Sequence, residues 1–145
     1  MEVTGDTLPS AAEKEQRNWG MFCHLAALAV FVPVIPFGNI VRPLVIWLWK
    51  RHEIPGVNEQ GKAALNFHLS VTIYLLVIGL LFALPLLLCS LIFPPLLLLA
   101  IPAWIFMAVC ASAIVITEVV LTIVAALRAS DGNHYRYPFT LNLIK

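Results

Sequence analysis

The sequence predicts an all-α, polytopic membrane protein of four helices. A short, broken first hairpin (helices 1-2) is expected to pack against two long transmembrane helices (helices 3-4). Three observations predict it. The 145-residue chain is 61% hydrophobic and 12% charged, where a soluble domain averages about 25% charged. The charges are segregated: none lies between Arg17 and Arg42, and only Glu118 lies between Lys62 and Arg128. Prolines punctuate the apolar stretches at Pro33, Pro36, Pro43, Pro94 and Pro95.

The first 17 residues are mostly polar, with acids among them. They read as a mobile cytoplasmic tail rather than a signal peptide. Residues 18–145 then form one membrane domain. A first helix is expected from Trp19 to Val32, broken by Pro33, Pro36, Gly38 and Asn39. Pro43 suits the first turn of a second helix, which ends at the basic pair Lys50-Arg51. From Pro43 to Lys50 the chain covers about 12 Å, too short to cross ~30 Å of hydrocarbon. Helices 1-2 are therefore expected either to form a re-entrant hairpin or to lie as short immersed helices.

The third helix is expected from about Asn58 to Ile92 and the fourth from about Leu96 to Ala129. The turn between them falls at Phe93-Pro94-Pro95, where two backbone donors are missing. Each helix exceeds the minimum for a span, so kinks are expected, at Pro85 and Pro102. Small residues Ala103, Ala108, Ala111 and Ser112 are expected to let the last helix approach a neighbour closely.

Lys14, Arg17, Lys50, Arg51, Lys62, Arg128, Arg136 and Lys145 flank membrane ends, and the Phe93–Pro95 turn carries no cation. By the positive-inside rule both termini and the 50–62 loop face the cytoplasm. The expected location is the bacterial inner (cytoplasmic) membrane. Nine basic against eight acidic residues give no basic field for nucleic acid. Expected partners are membrane lipid and other membrane proteins, or further copies of this chain. Cys23, Cys89 and Cys110 have no disulfide or metal spacing and read as packing residues.

Ionisable groups at membrane depth are candidate functional sites. Arg42 lies about 12 Å above Lys50, and Glu118 about 15 Å above Arg128, by helical rise. Similar depth and opposite charge predict that they lie near each other, paired directly or through water; the alternative is that Arg42 snorkels to the outer interface. His24 and His68 also sit in apolar surroundings. A bis-histidine haem would need facing imidazoles, and a quinone or lipid headgroup is a second possibility. The residues favour internally hydrogen-bonded histidines, so no cofactor and no metal are expected. Asn66, Ser70 and Tyr74 recur at i, i+4 and i+8 as one polar stripe, while His68 and Thr72 face elsewhere. The stripe predicts interhelical hydrogen bonds or, failing that, a groove for a polar substrate. No catalytic constellation is present, so no enzyme is expected.

Several motifs resemble a known family. They are Cys23-His24-Leu25, Pro43–Leu48 before Lys50-Arg51, Asn58–Phe67, and Tyr135-Arg136-Tyr137-Pro138 after Asp131-Gly132. Together they resemble the small bacterial Tic20-like family, also described as a DUF4870 domain, over residues 18–145. His68 stands where that family usually has Gln. The resemblance implies a four-helix membrane protein with both termini on one side. It also implies a role in protein transport, by assisting translocation, insertion or complex assembly. A structural or regulatory subunit beside a larger membrane complex, and a haem- or quinone-binding subunit, remain as alternatives. Trp47 and Trp49 are expected in an aromatic belt. With Phe67, Tyr137 and Pro138, Trp47 belongs to an interfacial motif. Alternation of Phe139, Leu141 and Leu143 predicts a short extended tail rather than a helix.

Overall fold

The computed structural model describes residues 9–28 and 37–145. These form four helices and no strand: α1 (Ala11–Leu28), α2 (Gly38–Lys50), α3 (Val57–Ile92) and α4 (Pro95–Ser130). The helices α3 and α4 are long and apolar enough to cross a membrane. Their outer faces expose Leu80, Leu91, Ile92, Leu98 and Phe106, among others.

α1 starts at Ala11, inside the segment read as a tail, because Ser10 and Glu13 form a reciprocal capping box. Ser10 N–H donates to Glu13 Oε2 (2.7 Å), and Glu13 N–H to Ser10 Oγ (3.3 Å). Together they satisfy two donors at the helix start. The Ser10 backbone N–H, and then its hydroxyl, hold the Glu13 carboxyl below its ordinary range. Residues 1–8, the rest of that tail, lie outside the described residues, as do the expected end of helix 1 at Val32 and its breaks at Pro33 and Pro36. α1 carries Glu13, Lys14, Glu15 and Arg17 in its first half and is not one of the helices apolar enough to cross.

α2 begins at Gly38, five residues before Pro43. Pro43 is therefore an interior proline, not a first-turn one, and leaves the Asn39 carbonyl without its helical donor. At 13 residues the helix is about 20 Å long, still short of a span. Its last turn is clamped to α1: the Lys50 ammonium lies 5.1 Å from the Trp19 ring and 4.8 Å from the Trp49 ring.

Trp47 is not in an aromatic belt. It is buried and points inward, with Nε1–H donating to Asn58 Oδ1 at 3.0 Å. Gly61 makes room for it: a Cβ there would lie 2.3 Å from Trp47 Cδ1. Trp49, two residues on, is exposed.

Just before Pro85, where a kink is expected, the helix holds a π-turn over Gly79–Ala83, with Leu84 N–H bonding back to Gly79 O. Shifting the ladder by one residue just before a proline accommodates the missing donor and the ring. At the far end Phe93 and Pro94 make the turn into α4, with Leu96 N–H on Phe93 O at 2.9 Å. Of the small residues, Ala103, Ala108 and Ser112 are exposed and Ala111 is half-buried. Close approach is made by Ala125, Ala126 and Ala129 at the other end of α4, where α1 packs across it.

α4 ends in a Schellman motif. Asn133 N–H bonds to Arg128 O (2.9 Å), and Gly132 N–H to Ala129 O (3.0 Å). Gly132 takes the left-handed conformation the motif needs (φ +81°). The motif sends the chain back along the bundle, so that the last 14 residues pack against α1 and α3.

Candidate functional site

Three polar clusters lie between the helices and the C-terminal segment. The first joins α1, α3 and the C-terminal segment. Gln60 Nε2 donates to Asn133 O at 3.2 Å, which turns Gln60 Oε1 towards His24 Nε2 at 2.9 Å. A carbonyl oxygen only accepts, so Nε2 carries the imidazole proton. Nδ1 is then the acceptor for the Tyr137 hydroxyl, at 2.9 Å. Burial, the largest cause, holds the His24 imidazole well below its ordinary value, at about 4, even though Gln60 favours the charged form. Burial likewise raises the Tyr137 phenol and pushes the Cys23 thiol up to about 12. His24 is thus a neutral histidine with both nitrogens engaged, and has none left to ligate a haem iron.

Tyr137 also stacks on Phe67, with ring centroids 4.0 Å apart and planes 10° apart. Phe67, Val71, Ala125 and Tyr137 form one apolar cluster. Phe67 and Tyr137, expected at the interface, are therefore core residues. Only Pro138 of that group is exposed.

The second cluster is the polar stripe of α3. Asn66 Oδ1 accepts from Ile144 N–H (2.8 Å) and Leu143 N–H (3.2 Å), and Asn66 Nδ2 donates to Ile144 O (3.0 Å). Ser70 Oγ accepts from Leu141 N–H (2.8 Å) and donates to Asn66 O (2.6 Å). Tyr74 donates to Phe139 O (2.9 Å). The stripe is neither an interhelical contact nor an open groove. It holds the backbone of the chain's own tail, which runs antiparallel to α3. The tail is non-helical, as its alternation predicts, and turns at Pro138-Phe139. Phe139 adopts φ +56°, a left-handed conformation that costs an ordinary residue about 1–2 kcal/mol.

The third cluster is an ion-pair-capable contact inside the bundle. His68 Nδ1 lies 2.7 Å from Glu118 Oε1, with His68 1% and Glu118 13% exposed. The close partner that the structure shows for Glu118 is His68. Arg42 is half-buried on α2. A cavity of about 250 Å3 beside the pair is lined by Asn39, His68 and Glu118 with apolar residues of α1 and α4. α2 thus reaches that cavity with Asn39, one turn before Arg42. Asn39 Nδ2 also donates to Thr72 Oγ1 at 3.3 Å. His68 Nε2 is buried and has no hydrogen-bond partner among the described residues.

Among the described residues no three His, Cys, Asp or Glu side chains converge to hold a metal ion. Chemically the arrangement can hold one proton between His68 and Glu118, fix the tail on α3 and lock α1 to the C-terminal segment. Sequence reasoning missed Gln60, whose amide sets the His24 tautomer. Its one legible signal was the place of Gln60 in the Asn58–Phe67 motif.

Neither a curated protein nor a solved structure matches this chain significantly. The sequence profile of one family does, over residues 15–144. It overturns the resemblance to the Tic20-like, DUF4870 family and, with it, the protein-transport role taken from that resemblance. The motifs that carried the resemblance are core contacts, with Phe67 stacked on Tyr137 and Trp47 seated over Gly61; such packing motifs mark a helical architecture rather than a function. The matched profile covers nearly the whole chain, and the protein belongs to the magnetosome magnetite crystal formation protein family (MamF/MmsF).

Proposed function

We propose that this chain is a non-enzymatic membrane component that contributes to magnetite crystal formation by assembling with lipid and other membrane proteins. One observation carries the reading: the polar groups in the bundle are committed to the chain's own structure, while the long helices present apolar faces outward. Asn66, Ser70 and Tyr74 hold the tail, and His24 and Gln60 hold the C-terminal segment. The outward faces of α3 and α4 are rich in exposed Leu, Ile and Phe. Apolar surface on that scale needs lipid or another membrane chain to cover it. Family membership supplies the process in which such a component acts. In this reading the chain is multi-pass, and the end bearing Lys62, Arg128 and Arg136 faces the cytoplasm.

Deletion in a magnetite-forming bacterium tests the proposal. The expected result, read by electron microscopy, is crystals of altered size or shape inside intact membrane compartments, restored by the wild-type chain. Crystals of unchanged size and shape would overturn it. Labelling of single cysteines placed at Lys62 and Phe93 checks the orientation.

A further inference from the structure

We infer that the charged end of the bundle holds the phosphate headgroup of an anionic lipid, between the first turns of α3 and the C-terminal segment. A cavity of about 490 Å3 lies there, lined by Glu59, Lys62, His134, Tyr135, Arg136 and Asn142 among others. Lys62 of α3 and Arg136 of the C-terminal segment both line it. Neither makes an ion pair among the described residues, whose ion pairs are Lys50–Glu53, His68–Glu118 and His134–Glu59. The one acid in the wall, Glu59, is mostly exposed and lies 4.0 Å from His134. Two cations against one acid leave the wall of the cavity with a net positive charge among the described residues.

Both cations stand on fixed backbone. Lys62 is one turn before Asn66 on α3. Arg136 is next to Tyr137, which is buried, stacked on Phe67 and hydrogen-bonded to His24. The loop that carries it is tied down at Asn133 by Gln60. A site assembled in advance loses little ordering entropy when it binds.

The position selects a lipid over a free anion. Lys62 is the last charge before the apolar run that only Glu118 interrupts up to Arg128, so its ammonium sits at the edge of the hydrocarbon. Past the Pro138-Phe139 turn a second cavity, of about 420 Å3, lies between α3 and α4. Its wall is mainly apolar, including Val71, Ile114, Leu121 and Phe139. A molecule with a phosphate at one end and acyl chains at the other matches this succession. Basic pockets at the cytoplasmic ends of membrane helices bind lipid headgroups by the same electrostatics.

The site rests on the membrane location proposed above, and the test keeps the two apart. The full chain is placed in nanodiscs of phosphatidylcholine with either phosphatidylglycerol or phosphatidylethanolamine, and bound lipid is counted by native mass spectrometry. Two cations at a membrane surface predict a preference for phosphatidylglycerol of roughly 10- to 30-fold. The double variant Lys62→Gln/Arg136→Gln is expected to lose it. The control Lys14→Gln/Arg128→Gln removes equal charge elsewhere and is expected to keep it. An unchanged preference in the first variant, or equal loss in the control, overturns the site. Binding of soluble glycerol phosphate with no selectivity among lipids overturns the lipid assignment. Carbonate-washed membranes check location separately. Release of the wild-type chain from them overturns the membrane reading, whereas retention without lipid preference overturns this site alone.

Discussion

The side-chain amide of Asn66 and the backbone of Ile144 hydrogen-bond in both directions, at 2.8 and 3.0 Å. An amide presents a donor and an acceptor side by side, the same pair a peptide unit presents. Asn66 therefore acts as a short artificial strand for the tail, with Ser70 and Tyr74 continuing the row one and two turns on.

Replacing Asn66 by Ala removes three bonds from a buried position and leaves tail amides unpaired. The expected cost is about 2–3 kcal/mol, and Asn66→Asp recovers only the acceptor half. Hydrogen exchange should quicken at Leu143 and Ile144 first, then at Leu141. Protease sensitivity of residues 139–145 should rise in parallel.

Below neutral pH the His24 cluster should weaken. The imidazole titrates at about 4 when folded, against an ordinary value near 6.5. Because the unfolded chain binds the proton more readily, stability is full above about pH 6.5 and is lost as pH falls towards 4. The loss amounts to on the order of 3 kcal/mol. Thermal unfolding of detergent-solubilised protein between pH 7 and 4 measures it, and His24→Gln should flatten this part of the profile.

Glu118→Gln keeps an acceptor for His68 Nδ1 and is expected to accumulate close to wild-type levels. Glu118→Leu strands a buried imidazole, at an expected cost of about 3 kcal/mol. A double-mutant cycle with His68→Leu should return a coupling of more than about 1 kcal/mol. Additive losses would mean that the pair contributes nothing as a pair.

At Gly61 a methyl group would meet Trp47 Cδ1 at 2.3 Å. Gly61→Ala must push α2 away from α3, at an expected cost of about 1–3 kcal/mol. Red-shifted tryptophan emission would report the displaced ring, and loss of the Trp47–Asn58 bond would follow.

The sequence by itself determined the number of helices and the bounds of the two long ones, though not the starts of α1 and α2. Proline pairs and charge gaps act locally, so Ile92 and the Phe93-Pro94 turn were legible. So was the inability of α2 to span: even with its true start at Gly38 it has only 13 residues. The composition also carried the placement in a membrane and the non-helical end of the chain. Only the tertiary structure decided which polar groups meet. Helical rise gave Arg42 and Glu118 similar depths, but rise carries no information on the rotation of each helix about its axis. That rotation turns Glu118 to His68. It also turns Trp47 inward onto Gly61, a contact that rests on the absence of a Cβ. The stripe Asn66, Ser70, Tyr74 was visible as a pattern, yet its occupant arrives from more than 60 residues away in sequence. The Schellman turn at Gly132 brings it back, and no local propensity encodes that return. The same long-range closure brings Lys62 and Arg136 to one cavity, so the cationic cavity belongs to the fold rather than to any motif.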